Sequence, residues 1–199
     1  MKIVAITGGS GSGKSHFVRL LQIALGEKAS VLSLDNYYKP RHTQTKDENG
    51  IENFDIPSAF DSEKLLNDLH KLKTGESIVF KQYNYNNQDL ILPDIEVKPA
   101  PILLFEGIFV LNYEPVLPLI DYKIFIEANP ALSLERRLNR DLHERGYDAS
   151  DVNYRFSNHA YPAYVEYILP CKTQADFVFV SDENINDKVE VFLKSLSSY

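Results

Sequence analysis

The chain has 199 residues, enough for one sizeable core, and its 44% apolar and 25% charged content is that of an ordinary globular protein. Its 21 basic and 28 acidic side chains leave a formal charge of -7, which argues against a nucleic-acid backbone as the main partner. The apolar runs 101–105 and 108–111 are too short to span a bilayer, and the single cysteine, Cys171, excludes an intrachain disulfide.

The N-terminus carries Lys2 and a short apolar run. It lacks the long apolar stretch and cleavage site of a secretory leader, so a cytoplasmic, reducing setting is expected. The five histidines show no metal-ligand spacing, and no zinc site is expected. Residues 2–6 read as a buried strand. Residues 14–25 follow as a helix with Phe17, Leu20, Leu21, Ala24 and Leu25 on one face and Gly26 at its C-cap. Residues 29–34 are the next strand, and 35–60 form a long aperiodic loop of the kind that carries function. Asp61 caps a helix whose apolar face is Leu65, Leu66, Leu69 and Leu72, closed by Gly75. Residues 77–83 and 90–97 read as a hairpin, 102–105 and 122–126 as buried strands. A helix opened by Pro130 runs to about Arg145, packing through Leu134, Leu138 and Leu142. A tyrosine-rich helix is expected over about 149–168, a strand over 177–180 and a last helix over 185–196. The alternation predicts one α/β domain over 1–199. Its mostly parallel five-stranded sheet is sandwiched between helices, with a hairpin insertion over 77–98 and a helical lid over 130–148.

Gly8-Gly9-Ser10-Gly11-Ser12-Gly13-Lys14-Ser15 fits G-x-x-x-x-G-K-[ST] between the first strand and first helix. There the glycines let backbone N–H groups turn inward around phosphates, and the helix N-terminus adds partial positive charge. Lys14 can reach the β/γ-phosphates and Ser15 can offer its hydroxyl to Mg²⁺, so a Mg-nucleotide is the expected ligand. Asp35 and Glu106 stand at the carboxyl ends of buried strands, the edge of a parallel sheet where ligands bind. A kinase of this kind needs one acid near the metal and one to orient the attacking hydroxyl. Glu106 suits the first role and Asp35 the second, with Asp35 also near enough to take part in metal binding. Arg136, Arg137 and Arg140, followed by Arg145, supply local positive charge for the transferring phosphoryl group. Alternatively they form a solvated face paired with Glu135, Asp141 and Glu144.

The P-loop, LSLDNYYKP, ENFDIPSAFD, LLFEGI, ERRLNRDLHERGYD and LPCKTQAD, in that order and spacing, resemble the uridine kinase family within the wider uridine kinase and phosphoribulokinase group. The resemblance implies transfer of the γ-phosphate of ATP or GTP to the 5′-hydroxyl of a pyrimidine ribonucleoside. It implies Asp35 as the catalytic aspartate, Asp55 as the ligand of the ribose hydroxyls and Tyr83 as an aromatic of the base pocket. Arg137 and Arg140 match lid arginines near acceptor and phosphates, and a homo-oligomer, dimer or tetramer, goes with the family. The chain departs from the pattern on the base side. Tyr83 is followed by Asn84-Tyr85, Gln88 stands where a base-reading histidine is usual, Tyr147 replaces an arginine, and Arg155 replaces a glutamine. Three readings stay open on the residues: a uridine/cytidine kinase, a kinase of another hydroxylated small metabolite, and an ATP-binding regulator without catalysis.

Overall fold

The computed structural model describes residues 1–81, 83, 93–181 and 184–197. In chain order the elements are β1 (Lys2–Thr7), α1 (Lys14–Leu25), β2 (Ala29–Ser33), α2 (Ser62–Thr74), β3 (Ile78–Lys81), β4 (Asp94–Val97), β5 (Ile102–Glu106), β6 (Tyr122–Glu127), α3 (Pro130–His143), α4 (Ala149–Arg155), α5 (Tyr161–Ala163), β7 (Phe177–Val180) and α6 (Ile185–Ser197). Strands β2, β5, β1, β6 and β7 lie in that order in one sheet, every neighbouring pair parallel. Strands β3 and β4 pair antiparallel in a sheet of their own.

Both faces of the parallel sheet are covered, which is why its strands read as unbroken apolar runs. Ile3 and Ala5 of β1 join the layer holding Leu65, Leu69 and Leu72 of α2. Val4 and Ile6 point the other way, toward Phe17 and Leu21 of α1 and Phe192 of α6. All four β1 residues are fully buried, and each large aliphatic side chain contributes about 1.5–3 kcal/mol by leaving water. The ends of α2 follow from its sequence. Asp61 Oδ1 accepts the Lys64 N–H at 3.0 Å, and Gly75 closes the helix at φ 92°.

Two expectations need correcting. The inward stripe of α3 is Ser133, Arg137 and Asp141, not the leucines: Leu134 and Leu138 are half-buried and Leu142 is exposed. The helix lies over the phosphate loop rather than on the sheet, so its buried face meets polar backbone and opposite charge. The tyrosine-rich segment is also not one α-helix. Beyond α4 it runs through a π-helical turn (Phe156–Ala160), α5, a second π-turn (Tyr164–Ile168) and a 3₁₀ stretch (Leu169–Gln174). Pro162 has no N–H to give to the preceding turn, and wider turns flank it on both sides.

Candidate active site

The loop between β1 and α1 takes its shape from three glycines at positive φ, Gly8 (148°), Gly11 (77°) and Gly13 (97°). A Cβ on Gly8 would strike the Ile126 carbonyl, and one on Gly11 the Ser133 carbonyl of α3, so the loop is held between sheet and lid at near-contact. Gly13 caps α1 without a side chain, which leaves the first-turn N–H groups to an anion. Lys14 is buried, and its Nζ donates to the carbonyls of Gly8 at 2.9 Å and Gly9 at 2.8 Å. Burial pushes its ammonium down to about 8, opposed by the nearby charges of Glu106 and Asp35.

β2 and β5 run side by side with Ser33 opposite Glu106, and this register brings the two predicted carboxylates together. Ser33 Oγ donates to Glu106 Oε1 at 2.8 Å and accepts the Asp35 N–H at 3.3 Å, so one hydroxyl holds the Glu106 carboxylate and the turn that carries Asp35. Burial, and then the charge of Asp35, push the Glu106 carboxyl above its ordinary range. Gly107 follows because a Cβ there would run into Leu34.

Next to Asp35 the chain turns and presents an aromatic wall. Tyr38 stacks on Phe60 with ring centroids 4.1 Å apart, tilts against Tyr83 at 4.8 Å and meets the edge of Phe54 at 5.7 Å. Tyr37 turns inward instead and donates to Asp68 Oδ2 at 3.1 Å. Tyr83 and Tyr147 have phenols raised by burial, Tyr83 to about 12. Asp55 is buried, with Arg137 Nη2 3.7 Å from its Oδ2.

The lid arginines serve different ends. Arg136 Nη1 donates to Ser181 Oγ at 2.6 Å and to the Ser12 carbonyl at 3.4 Å, stapling α3 to the phosphate loop and to the end of β7. Arg140 lines the cleft close enough to act on the charges of Lys14 and Glu106. Arg155 gives Nε to both oxygens of Asp151, at 2.9 and 3.0 Å, and Nη1 to the Glu52 carbonyl at 2.8 Å. It therefore fastens α4 to the acceptor loop. Asp47 adds a second fastening, accepting from Tyr154 Oη at 2.8 Å and lying 2.7 Å from His159 Nε2.

The phosphate loop, the two acids, the aromatic wall and the lid arginines share one cleft of about 280 Å³. Of the residues predicted from sequence, Ser10, Gly11, Gly13, Lys14, Ser15, Asp35, Asp55, Tyr83, Glu106, Arg136, Arg137, Arg140, Tyr147 and Arg155 line it. Gly8, Gly9 and Ser12 do not: Gly9 and Ser12 border a separate small cavity under Tyr164, and Gly8 lies against β6. Gln88 lies outside the described residues.

The profile of the phosphoribulokinase/uridine kinase family matches residues 3–186. The chain belongs to this family. It is similar to the uridine kinase of Halobacterium salinarum, 31% identical over 91% of this chain and 80% of that protein. It is also similar to the uridine kinase of Staphylococcus aureus, 30% identical over 98% of this chain and 95% of that protein. Among solved structures, the phosphoribulokinase of Rhodobacter spheroides superposes with a TM-score of 0.65 at 21% identity, over 90% of this chain and 69% of that one. The D-glycerate 3-kinase of Cryptococcus neoformans gives 0.60 at 18%, over 82% and 77%. As a member of the phosphoribulokinase/uridine kinase family the chain is a phosphotransferase with an alcohol acceptor, taking its phosphate from ATP.

Sequence reasoning overlooked Ser33 and Asp151, and saw Asp141 only as one charge on a mixed helix face. Ser33 was recoverable only by pairing β2 with β5. For Asp141 a signal was present, since Arg137 and Arg145 stand four residues to either side of it.

Proposed function

We propose that this kinase phosphorylates the 5′-hydroxyl of a pyrimidine ribonucleoside, uridine or cytidine, and that residues 1–199 work as one kinase domain whose lid spans 130–148 and whose hairpin insertion spans 77–98. The observation that carries the reading is the aromatic wall of Tyr38, Phe54 and Tyr83, in the same cleft as Lys14 and beside Asp35. A flat base can stack there while a ribose reaches Asp55, which accepts hydrogen bonds from hydroxyls. The pairing of Arg155 with Asp151 and Glu52 favours a neutral acceptor over an anionic one.

Asp35 orients the attacking hydroxyl and takes its proton as the oxygen bonds to the γ-phosphorus, while the bond from that phosphorus to the β,γ-bridging oxygen breaks and ADP leaves. Lys14, released from the Gly8 and Gly9 carbonyls, meets the β/γ-phosphates, and Arg140 meets the charge on the transferring group. Ser15, Asp35 and Glu106 are hard oxygen donors that suit Mg²⁺, and a cation beside Glu106 would offset the burial, and then the charge of Asp35, that raise its carboxyl. Bound there, the metal would neutralise phosphate charge. A cytoplasmic setting and a homo-oligomer, dimer or tetramer, accompany this reading.

The test is Mg-dependent ADP release over uridine, cytidine, other ribosides, deoxyribosides and non-nucleoside alcohols, with Lys14→Ala as the blank. Turnover on uridine or cytidine is expected. Silence on both with turnover on another alcohol would refute the pyrimidine assignment and hand the acceptor end to that alcohol.

A further inference from the structure

The buried stripe of α3 ends in a carboxylate that no role in the reaction has so far claimed. Asp141 is 3% exposed, and three guanidiniums converge on it. Its Oδ1 accepts from Arg140 Nε at 2.8 Å and lies 3.3 Å from Arg145 Nη1, while its Oδ2 lies 3.4 Å from Arg137 Nε. Arg137 is one helical turn before it and Arg145 four residues after it, just past the end of α3, where the chain curls back to let the Tyr147 N–H donate to the Asp141 carbonyl at 3.0 Å. Beyond Arg137 stands Asp55, so a line of alternating charge runs from the acceptor end of the cleft to Arg140 above the phosphate loop.

Three cations on one wall repel one another, and left to themselves they turn out toward water. Asp141 removes that tendency, and it does so from behind. It takes the Nε of Arg140, and that bond fixes the plane of a guanidinium that lines the cleft. Among the described residues, Arg137 is held by ion-pair contacts to Asp55 and Asp141. Its Nε and Nη1 are buried and make no hydrogen bond among the described residues, although the side chain lines the cleft. Such N–H groups are costly unless a ligand completes them.

We propose that Asp141 is a positioning residue for phosphoryl transfer, holding Arg140 over the phosphate loop. This rests on the kinase reading above, but only the part that places Arg140 at the phosphates. The mechanism has no covalent step at Asp141, which acts only through the guanidiniums it orients.

The experiment is a double-mutant cycle on the full chain: wild type, Asp141→Asn, Arg140→Ala and the pair. It is read in kcat, in acceptor KM, and in affinity for a fluorescent ATP analogue, which needs no acceptor. Asp141→Asn is expected to lower kcat about 10–100-fold, the scale of a misplaced catalytic group, with acceptor KM changed by less than about threefold. In the Arg140→Ala background the same substitution should add less than about threefold, because its agent is already gone. Additive effects, an unchanged kcat with only a lowered Tm, or an Arg140→Ala that moves neither kcat nor nucleotide affinity would each overturn the proposal. If Asp141→Asn does not fold, Asp141→Glu replaces it. That variant keeps the charge, moves it by one methylene, and must again be non-additive with Arg140→Ala. If the wild type turns over no acceptor, non-additive losses of analogue affinity still support Asp141 while the kinase reading falls. Turnover on uridine with an additive cycle leaves the kinase reading standing and sinks this one.

Discussion

The buried ammonium of Lys14 makes nucleotide binding sensitive to pH in a direction that can be worked out. In the free enzyme its pKa is depressed to about 8, chiefly because burial disfavours the charged form. Bound phosphates favour that form, so the pKa in the complex returns toward the ordinary lysine range. Binding therefore takes up a proton wherever free Lys14 is deprotonated, and affinity falls as pH rises through 8. Below pH 7 the group is charged in both states and contributes no slope. Between pH 7 and pH 9 the protonated fraction of the free site drops from roughly nine-tenths to roughly one-tenth, so Kd rises about tenfold, or about 1.4 kcal/mol. The assay is isothermal titration of ATP in EDTA at pH 7, 8 and 9, in two buffers of different ionisation enthalpy. Uptake of about half a proton is expected at pH 8. Lys14→Met should bind more weakly and lose the slope. A Kd constant within about twofold from pH 7 to 9, or a slope that persists in Lys14→Met, would refute this account of the buried lysine.

Asp35→Ala should reduce turnover by about 10²–10⁴-fold, the range for loss of a general base, while ATP affinity stays within about threefold. Normal turnover in that variant removes Asp35 from its role. Gly11→Ala puts a side chain at φ 77° against the Ser133 carbonyl, so it should lower stability by about 1–2 kcal/mol from the backbone alone. It should also weaken ATP binding as α3 is pushed away, and denaturant unfolding with a binding titration tests both. Asp61→Ala removes the N-cap of α2, whose side chain does not line the cleft. It should cost about 1 kcal/mol in unfolding with no change in nucleotide affinity.

Local signals carried much of the sequence reading because their physics is local. The ends of α2 depend on Asp61 and Gly75, and the ends of α1 on Gly13 and Gly26, each acting within one turn of itself. The phosphate loop is equally self-contained, since its glycines and Lys14 lie within eight consecutive residues. The leucine stripe of α3 misled because periodicity reports which residues share a face, not what that face meets. Arg137 and Asp141 are buried there, and Leu142 is exposed, since the partners of the helix are the phosphate loop and the acceptor end.

By itself the sequence determined the alternating α/β pattern, the phosphate loop and the acids placed at the ends of β2 and β5, all written in short runs whose chemistry is complete in place. Tertiary structure decided what those pieces do to one another. Parallel pairing of β2 with β5 put Ser33 between Glu106 and Asp35, and the acceptor loop brought Asp55 against Arg137. It also tied Arg155 to the Glu52 carbonyl, where the sequence offered it to the acceptor. The reason is range: caps and turns are settled by neighbours in the chain, whereas the partner of a charge is settled by whichever distant segment folding brings within a few ångströms.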